Sequence, residues 1–298
     1  MMKRIAVGVI IFLLMAFSFS SLVSKGELSL PPKLVMLFIL LFTAAIALKL
    51  KMYWTRFPIL LSSIAYLGFY EGSCLCPNGA LQNIFLFLGM SKFSRIGLYV
   101  FELTVIFGIV FLMGNLYCGW VCHKGGVQEF LFRQKLAVRV PEKVDHILRN
   151  LRFVVLGIII VYPLLKQEKL FGKIDPFKTL FNLDGSITLV ILLGFVLLTS
   201  IFIYRPYCRY FCPFGAVLGA VNALGFFKLQ FNGVCTACRI CEKSCMFDAL
   251  KAKNLSSPVV DKTICIACME CTRACPKKVL EENKILGKKR DFQADLVV

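Results

Sequence analysis

The chain has 298 residues, 58% of them apolar and 28 of them Phe, with 35 Lys plus Arg against 17 Asp plus Glu for a formal charge of +18. So apolar a composition excludes an ordinary soluble domain, because apolar runs near twenty residues long are membrane spans. The positive charge does not argue for a nucleic-acid partner: it gathers between the apolar runs, as in the cytoplasmic loops of membrane proteins, and no base-reading motif is present.

In chain order the apolar runs predict about six spans. Lys3 and Arg4 precede an apolar core from Ile5 to Phe17. No small-x-small cleavage site follows within Met1–Ser24, so this is read as an uncleaved first span. The second is Leu34–Leu48. The third, Phe57–Tyr70, has 14 residues, about 21 Å of helix against a hydrocarbon core of about 30 Å, and is expected to stop short of the far surface. The fourth is Gly97–Tyr117, and the fifth, Phe153–Leu165, is short with Pro163 near its end. The sixth, Ile187–Tyr204, leads into Arg205 and the cysteines beyond. The basic segments alternate with the spans so that all fall on one side, which the positive-inside rule makes cytoplasmic, along with both termini.

A repeat underlies spans three to six. Cys76-Pro-Asn-Gly-Ala-Leu-Gln82 precedes span four, which ends at Cys118-Gly-Trp-Val-Cys122-His123; Ile174-Asp175-Pro176-Phe177 precedes span six, which ends at Cys208-Arg-Tyr-Phe-Cys212-Pro213. The unit is an outer turn with Pro, a span, and C-x3-C at the inner surface. Each cysteine pair is spaced i, i+4, so on a helix both sulfurs lie on one face. A reducing cytoplasm argues against a structural disulfide. Buried cysteines are often small apolar packing residues, but two matched pairs at equivalent ends of a repeat favour four thiolates, Cys118, Cys122, Cys208 and Cys212, converging on one more [4Fe-4S] cluster. His123 reads as a surface residue of a basic loop. Cys74 and Cys76, placed at the outer side, are either a disulfide, packing residues or metal ligands.

The last cysteines carry the strongest signal. Cys235-x2-Cys238-x2-Cys241-x3-Cys245 and Cys265-x2-Cys268-x2-Cys271-x3-Cys275 lie thirty residues apart. Doubled C-x2-C-x2-C-x3-C is the ligand pattern of a two-cluster bacterial ferredoxin, in which the fourth Cys of each run serves the other cluster. One [4Fe-4S] cluster then takes Cys235, Cys238, Cys241 and Cys275, the other Cys265, Cys268, Cys271 and Cys245. Structural zinc sites use one or two C-x2-C pairs in fours and fit this rhythm badly. Met246 stands where Pro often follows the motif; Pro276 keeps it. The expected fold is mainly α: a polytopic membrane helix bundle over residues 1–230 carrying the C-x3-C motifs, a C-terminal α+β two-cluster ferredoxin domain over 231–280, and a polar tail over 281–298. From Phe231 to Val298 there are 12 Lys plus Arg against 8 Asp plus Glu, a surface suited to acidic partners or anionic lipid.

Several spans, two CGWxC/CRYFCPxG-type motifs and the terminal doublet together resemble the membrane polyferredoxins of the NapH/MauN type, related to the membrane parts of NosR-like and CcoG-like proteins. The resemblance runs from about Cys74 to Pro276; His123 in place of Pro and the Cys74-x-Cys76 pair depart from it. It implies a multi-pass protein of a prokaryotic cytoplasmic membrane that relays electrons between the quinone pool and a partner such as an exported reductase or multihaem cytochrome. On this reading the protein is the electron-transfer subunit of a quinol-linked oxidoreductase. A quinone site needs an apolar slot and a proton-handling group. Glu102, about 7.5 Å of helical rise below Gly97, is the candidate, since an ionisable group at that depth is functional by default; Asp175 and Glu71 read as solvated acids of the outer loops. The competing readings are a metal- or disulfide-reducing assembly factor working through Cys74 and Cys76, and a membrane anchor for a larger redox complex.

Overall fold

The computed structural model describes residues 32–72, 76–90, 96–231, 235–251 and 259–282. The predicted first span, Cys74 and the tail beyond residue 282 lie outside these residues.

The chain opens with α1 (Pro32–Lys49) and α2 (Arg56–Ser63), which runs on as a π-helical stretch to Tyr70. Next come α3 (Pro77–Gly89), α4 (Ile96–Met113), α5 (His123–Leu131) and α6 (Glu142–Lys166). After them follow α7 (Phe171–Ile174), α8 (Pro176–Asn182), α9 (Ile187–Phe202), α10 (Pro206–Tyr210) and α11 (Pro213–Leu224). Five of these, α1, α3, α8, α10 and α11, start on Pro, whose fixed φ suits the first helical position and whose missing N–H is not needed there. Expected span four ends early, at Met113, because Gly114 turns the chain at φ +84°, a conformation open to Gly at little cost. Expected span five begins early: the basic segment before Phe153 is already helical from Glu142.

Leu34, Leu37, Leu41, Ala44 and Leu48 of α1 are buried in a core that includes Ile106, Trp120 and Leu218. The opposite face of the same helix exposes Val35, Ile39, Phe42 and Ile46. A helix apolar on its outward face as well is solvated by lipid, not water. The outer surfaces of α6 and α9 are alike, with Val154, Ile158, Val161, Ile191, Phe195 and Leu198 all exposed. Among the described residues α4 and α6 are long and apolar enough to cross a membrane, and α8 with α9, bent by 99° between them, make a broken third. Against the six expected spans the described helices therefore supply two or three of spanning length, while α1 and α11 are apolar but shorter.

The C-terminal unit is the small α+β domain expected. β1 (Leu229–Phe231) pairs antiparallel with β4 (Leu280–Glu282), and β2 (Leu250–Lys251) with β3 (Val259–Val260). Two short helices, α12 (Ile240–Ser244) and α13 (Glu270–Ala274), pack together between them.

Candidate iron-sulfur centres

The two ferredoxin loops repeat their backbone as well as their sequence. Ala237, Arg239 and Asp248 have positive φ, as do Ala267, Met269 and Lys278, thirty residues later in each case. Left-handed φ is costly for residues with a Cβ and recurs where surrounding structure imposes it, as at loops that turn backbone N–H groups onto an anion. Cys245, Cys265, Cys268 and Cys271 line one cavity of about 520 Å³, the second ligand set expected. Cys235 and Cys238 lie within electrostatic reach of Cys241, which shares a buried cluster with Cys275 and equally with Cys245 and Cys271, so the fold gathers the cysteines of both runs without dividing them into two sets. Burial pushes the Cys265 thiol up to about 12 and the Cys245 thiol up to about 11. Such thiols are neutral unless a metal takes the proton's place. All the described cysteines are free of disulfides, and no group of three or more His, Cys, Asp or Glu among the described residues is gathered as a single metal ion needs. The doubled C-x2-C-x2-C-x3-C spacing suits an inorganic group larger than a single ion.

The four C-x3-C cysteines converge as well, though not on continuous helices. Cys118 sits in a π-helical turn (Tyr117–Val121), and Cys122 then leaves the helix in extended conformation to become the N-cap of α5. Cys208 lies in α10 and Cys212 is the extended N-cap of α11. The one-face expectation is corrected accordingly: the helix breaks within each pair, so the second cysteine caps the next helix instead of continuing the first. π-Helical turns of this kind are frequent at functional sites. Cys118, Cys122, Cys208 and Cys212 line one cavity with Asn115, Lys124, Arg152 and Arg205. It encloses about 50 Å³.

Two residues expected at the outer surface lie in this same cavity or against it, which corrects their placement. Cys76 is 8% exposed and lines the cavity as the N-cap of α3. Asp175 is 4% exposed and caps α8 through Phe177 N–H while binding Lys124. They are equivalent in the repeat, Cys76-Pro77 matching Asp175-Pro176, and the half-length helices they cap begin inside the fold. His123 is also no surface residue: it is fully buried edge-on against Phe181, and burial with Lys124 beside it lowers its pKa to about 3, leaving it neutral. Glu71 is half-buried. Glu102 is buried on α4 within electrostatic reach of Tyr117, whose side chain borders the cysteine cavity.

A buried ionic and hydrogen-bond network joins this cavity to the ferredoxin loop. Arg56 and Arg205 both bind Glu129 of α5; Arg56 Nε donates to the Gly119 carbonyl at 2.9 Å and Arg205 Nη1 to the Cys118 carbonyl at 2.5 Å. Burial alone pushes the Glu129 carboxyl up, but the two guanidiniums outweigh it and hold it below the usual range. Trp120 Nε1 donates to the Ala267 carbonyl at 2.9 Å, and Asn222 Nδ2 to the carbonyls of Lys262 and Cys265. Ile264 and Ile266 of the ferredoxin loop close the cysteine cavity itself. Arg56, Glu129 and Arg205 are far apart in the chain, so no local pattern of the sequence marks this network.

Residues 234–280 match the family described as "4Fe-4S dicluster domain", and residues 97–141 and again 186–232 match "4Fe-4S binding domain". The Uncharacterized protein MJ0750 of Methanocaldococcus jannaschii is 32% identical over 222 residues, 72% of this chain and 89% of that one. The chain belongs to the NapH/NosR-like family of ferredoxin-type membrane proteins. Within the family, the Putative electron transport protein YccM of Escherichia coli is 27% identical over 75% of this chain and 67% of its own. The Ferredoxin-type protein NapH of Haemophilus influenzae is 27% identical over 57% and 62%. No solved structure matches the chain. The doubled match over residues 97–141 and 186–232 falls on the two halves of the repeat, each with its C-x3-C pair.

Proposed function

We propose that this protein carries electrons between membrane quinone and a redox partner through three iron-sulfur centres, two in the ferredoxin domain and one between the C-x3-C pairs. The observation that carries the reading is the cavity in which two C-x3-C motifs meet the ferredoxin loop at Ile264 and Ile266. A bound [4Fe-4S] cluster takes up or releases one electron at a time, and its charge is negative. The chain's own residues suit such a group. Cys122 and Cys212 cap α5 and α11, and Cys76 caps α3, so three helix N-termini direct partial positive charge toward the sulfurs. Buried Lys124, Arg152 and Arg205 add full positive charge, and the apolar wall keeps water out. Gln128 Nε2 donates to Cys208 Sγ at 3.2 Å while its carbonyl oxygen accepts Tyr207 N–H, which fixes the amide toward the sulfur.

The test is a cofactor inventory on anaerobically purified protein. About twelve irons per chain are expected, falling to about eight in Cys118→Ser and in Cys208→Ser. An intact protein with about eight irons and spectra that neither substitution alters ends the third-centre reading.

Quinone is the mobile substrate in this reading, and Glu102 is the group proposed to handle its proton. The support is that Glu102 is buried on the apolar helix α4 and leads by way of Tyr117 to the cysteine cavity. Glu102→Gln, near in shape but unable to titrate, is expected to slow cluster reduction by a quinol analogue by 10²-fold or more while leaving iron content intact. Normal quinol oxidation by that variant removes Glu102 from the mechanism. The partner is a redox protein with an acidic face, a choice that rests on the positive balance of the ferredoxin segment and the exposed Cys238-Arg239-Ile240 loop. A multi-pass protein of the cytoplasmic membrane with both termini inside accords with the loop charges.

A further inference from the structure

Cys76 lies outside both regions that match the iron-sulfur binding family, yet its side chain lines the same cavity as the four C-x3-C cysteines. Its neighbours treat it as they treat two of those four, Cys208 and Cys212. Asn78 Nδ2 donates to Cys76 Sγ at 3.6 Å and to Cys212 Sγ at 3.8 Å, while Asn78 Oδ1 accepts Phe214 N–H at 3.0 Å. This repeats the Gln128 arrangement at Cys208, in which a backbone N–H anchors the amide oxygen so that the amide N–H faces sulfur. Both amides are almost wholly buried, Asn78 at 2% and Gln128 at 0%. Two unsatisfied donor atoms of buried guanidiniums border the same space: Nε of Arg205, whose other nitrogens bind Glu129 and the Cys118 carbonyl, and Nε of Arg152 have no hydrogen-bond partner among the described residues, and both side chains are at least nine-tenths buried. A buried charged donor left unpaired is costly, and an anionic inorganic group in the cavity would relieve it.

We infer that Cys76 supplies a fifth sulfur to the C-x3-C centre, in contact with an iron-sulfur cluster held there and oriented by Asn78. The duplication explains why there are five and not six. In the second repeat the equivalent position is Asp175, and its carboxylate is turned away onto Lys124, so the two halves of the site differ in this one donor. Amide donors to cluster sulfurs, and the sulfurs themselves, set cluster potential.

The inference rests on the third centre being present, and the experiment separates the two. In Cys76→Ala the iron content is expected to fall from about twelve toward about eight, or the potential of the third cluster is expected to shift by at least a tenfold change in its reduction equilibrium, 59 mV for one electron. Asn78→Leu is expected to shift the same potential with all the iron retained. For protein that will not tolerate substitution, alkylation of native protein gives a second readout: Cys76 is protected from N-ethylmaleimide with iron present and modified after iron is chelated. Equal modification in both states, or Cys76→Ala with full iron and unchanged spectrum and potential, overturns the role of Cys76. If Cys118→Ser loses about four irons in the same preparations, the third centre stands and only the fifth sulfur is refuted.

Discussion

Glu129→Ala is expected to destabilise the protein by roughly 3–5 kcal/mol, because one carboxylate answers two guanidiniums and its removal leaves a buried charge uncompensated. Arg56 and Arg205 are each 1% exposed, so neither reaches water to recover its solvation. In thermal unfolding of detergent-solubilised protein the loss should lower the midpoint by on the order of 10 °C. The damage should be local first. The two arginines hold the carbonyls of Cys118 and Gly119, so the C-x3-C turn should loosen before the ferredoxin loops, and iron bound at the turn should be lost ahead of the rest. Glu129→Gln keeps shape and one acceptor and should cost less. The pH dependence has the sign of a lowered carboxyl: the contribution is complete above the ordinary Glu value near 4.3 and is lost only as pH falls through the depressed folded value. A midpoint unchanged in Glu129→Ala would show that the network adds nothing to stability.

Gly119→Ala should separate the ferredoxin loop from the membrane helices. A Cβ there would stand 2.1 Å from the Ile266 carbonyl oxygen, a backbone atom that cannot rotate away. Overpacking of this kind costs typically about 1–3 kcal/mol, and here the loop that must move carries Cys265 and Cys268. Gly79→Ala is the control, since a Cβ at Gly79 meets nothing within 4 Å; in the first turns of α3 it should stabilise by about 0.5–1 kcal/mol. The two substitutions have the same chemistry and opposite expected signs. Spectroscopy adds a readout that stability alone would not move: if the proposed C-x3-C centre is occupied, its magnetic interaction with the reduced ferredoxin clusters should weaken in Gly119→Ala and be untouched in Gly79→Ala. Equal stability and identical spectra in both would mean that the loop does not dock where Gly119 meets Ile266.

Tertiary structure is where the account of the membrane half parts from its sequence. Hydropathy marks each apolar run but not where a run is interrupted, and the positive φ of Gly114 and the 99° bend between α8 and α9 depend on packing against neighbours. Placing Cys76 and Asp175 at an outer surface followed from counting each apolar run as a full crossing. In fact α3 and α8 are half-length helices that start within the fold, and so bring their caps to the cysteines. Likewise i, i+4 spacing describes a helix only while the helix continues, and both pairs straddle a break.

The sequence by itself determined the ferredoxin loops, because a cluster's ligands must be covalently spaced to wrap it and that spacing is written in consecutive residues. It also marked the chain as that of a membrane protein, since that follows from composition. Only the tertiary structure decided which distant residues share a cavity: Cys76 with Cys212 through Asn78, Lys124 with Asp175, and Arg56 with Arg205 around Glu129. Charges buried in a low-dielectric interior must find partners wherever the fold brings them, and nothing in the local order of residues records which partner that will be.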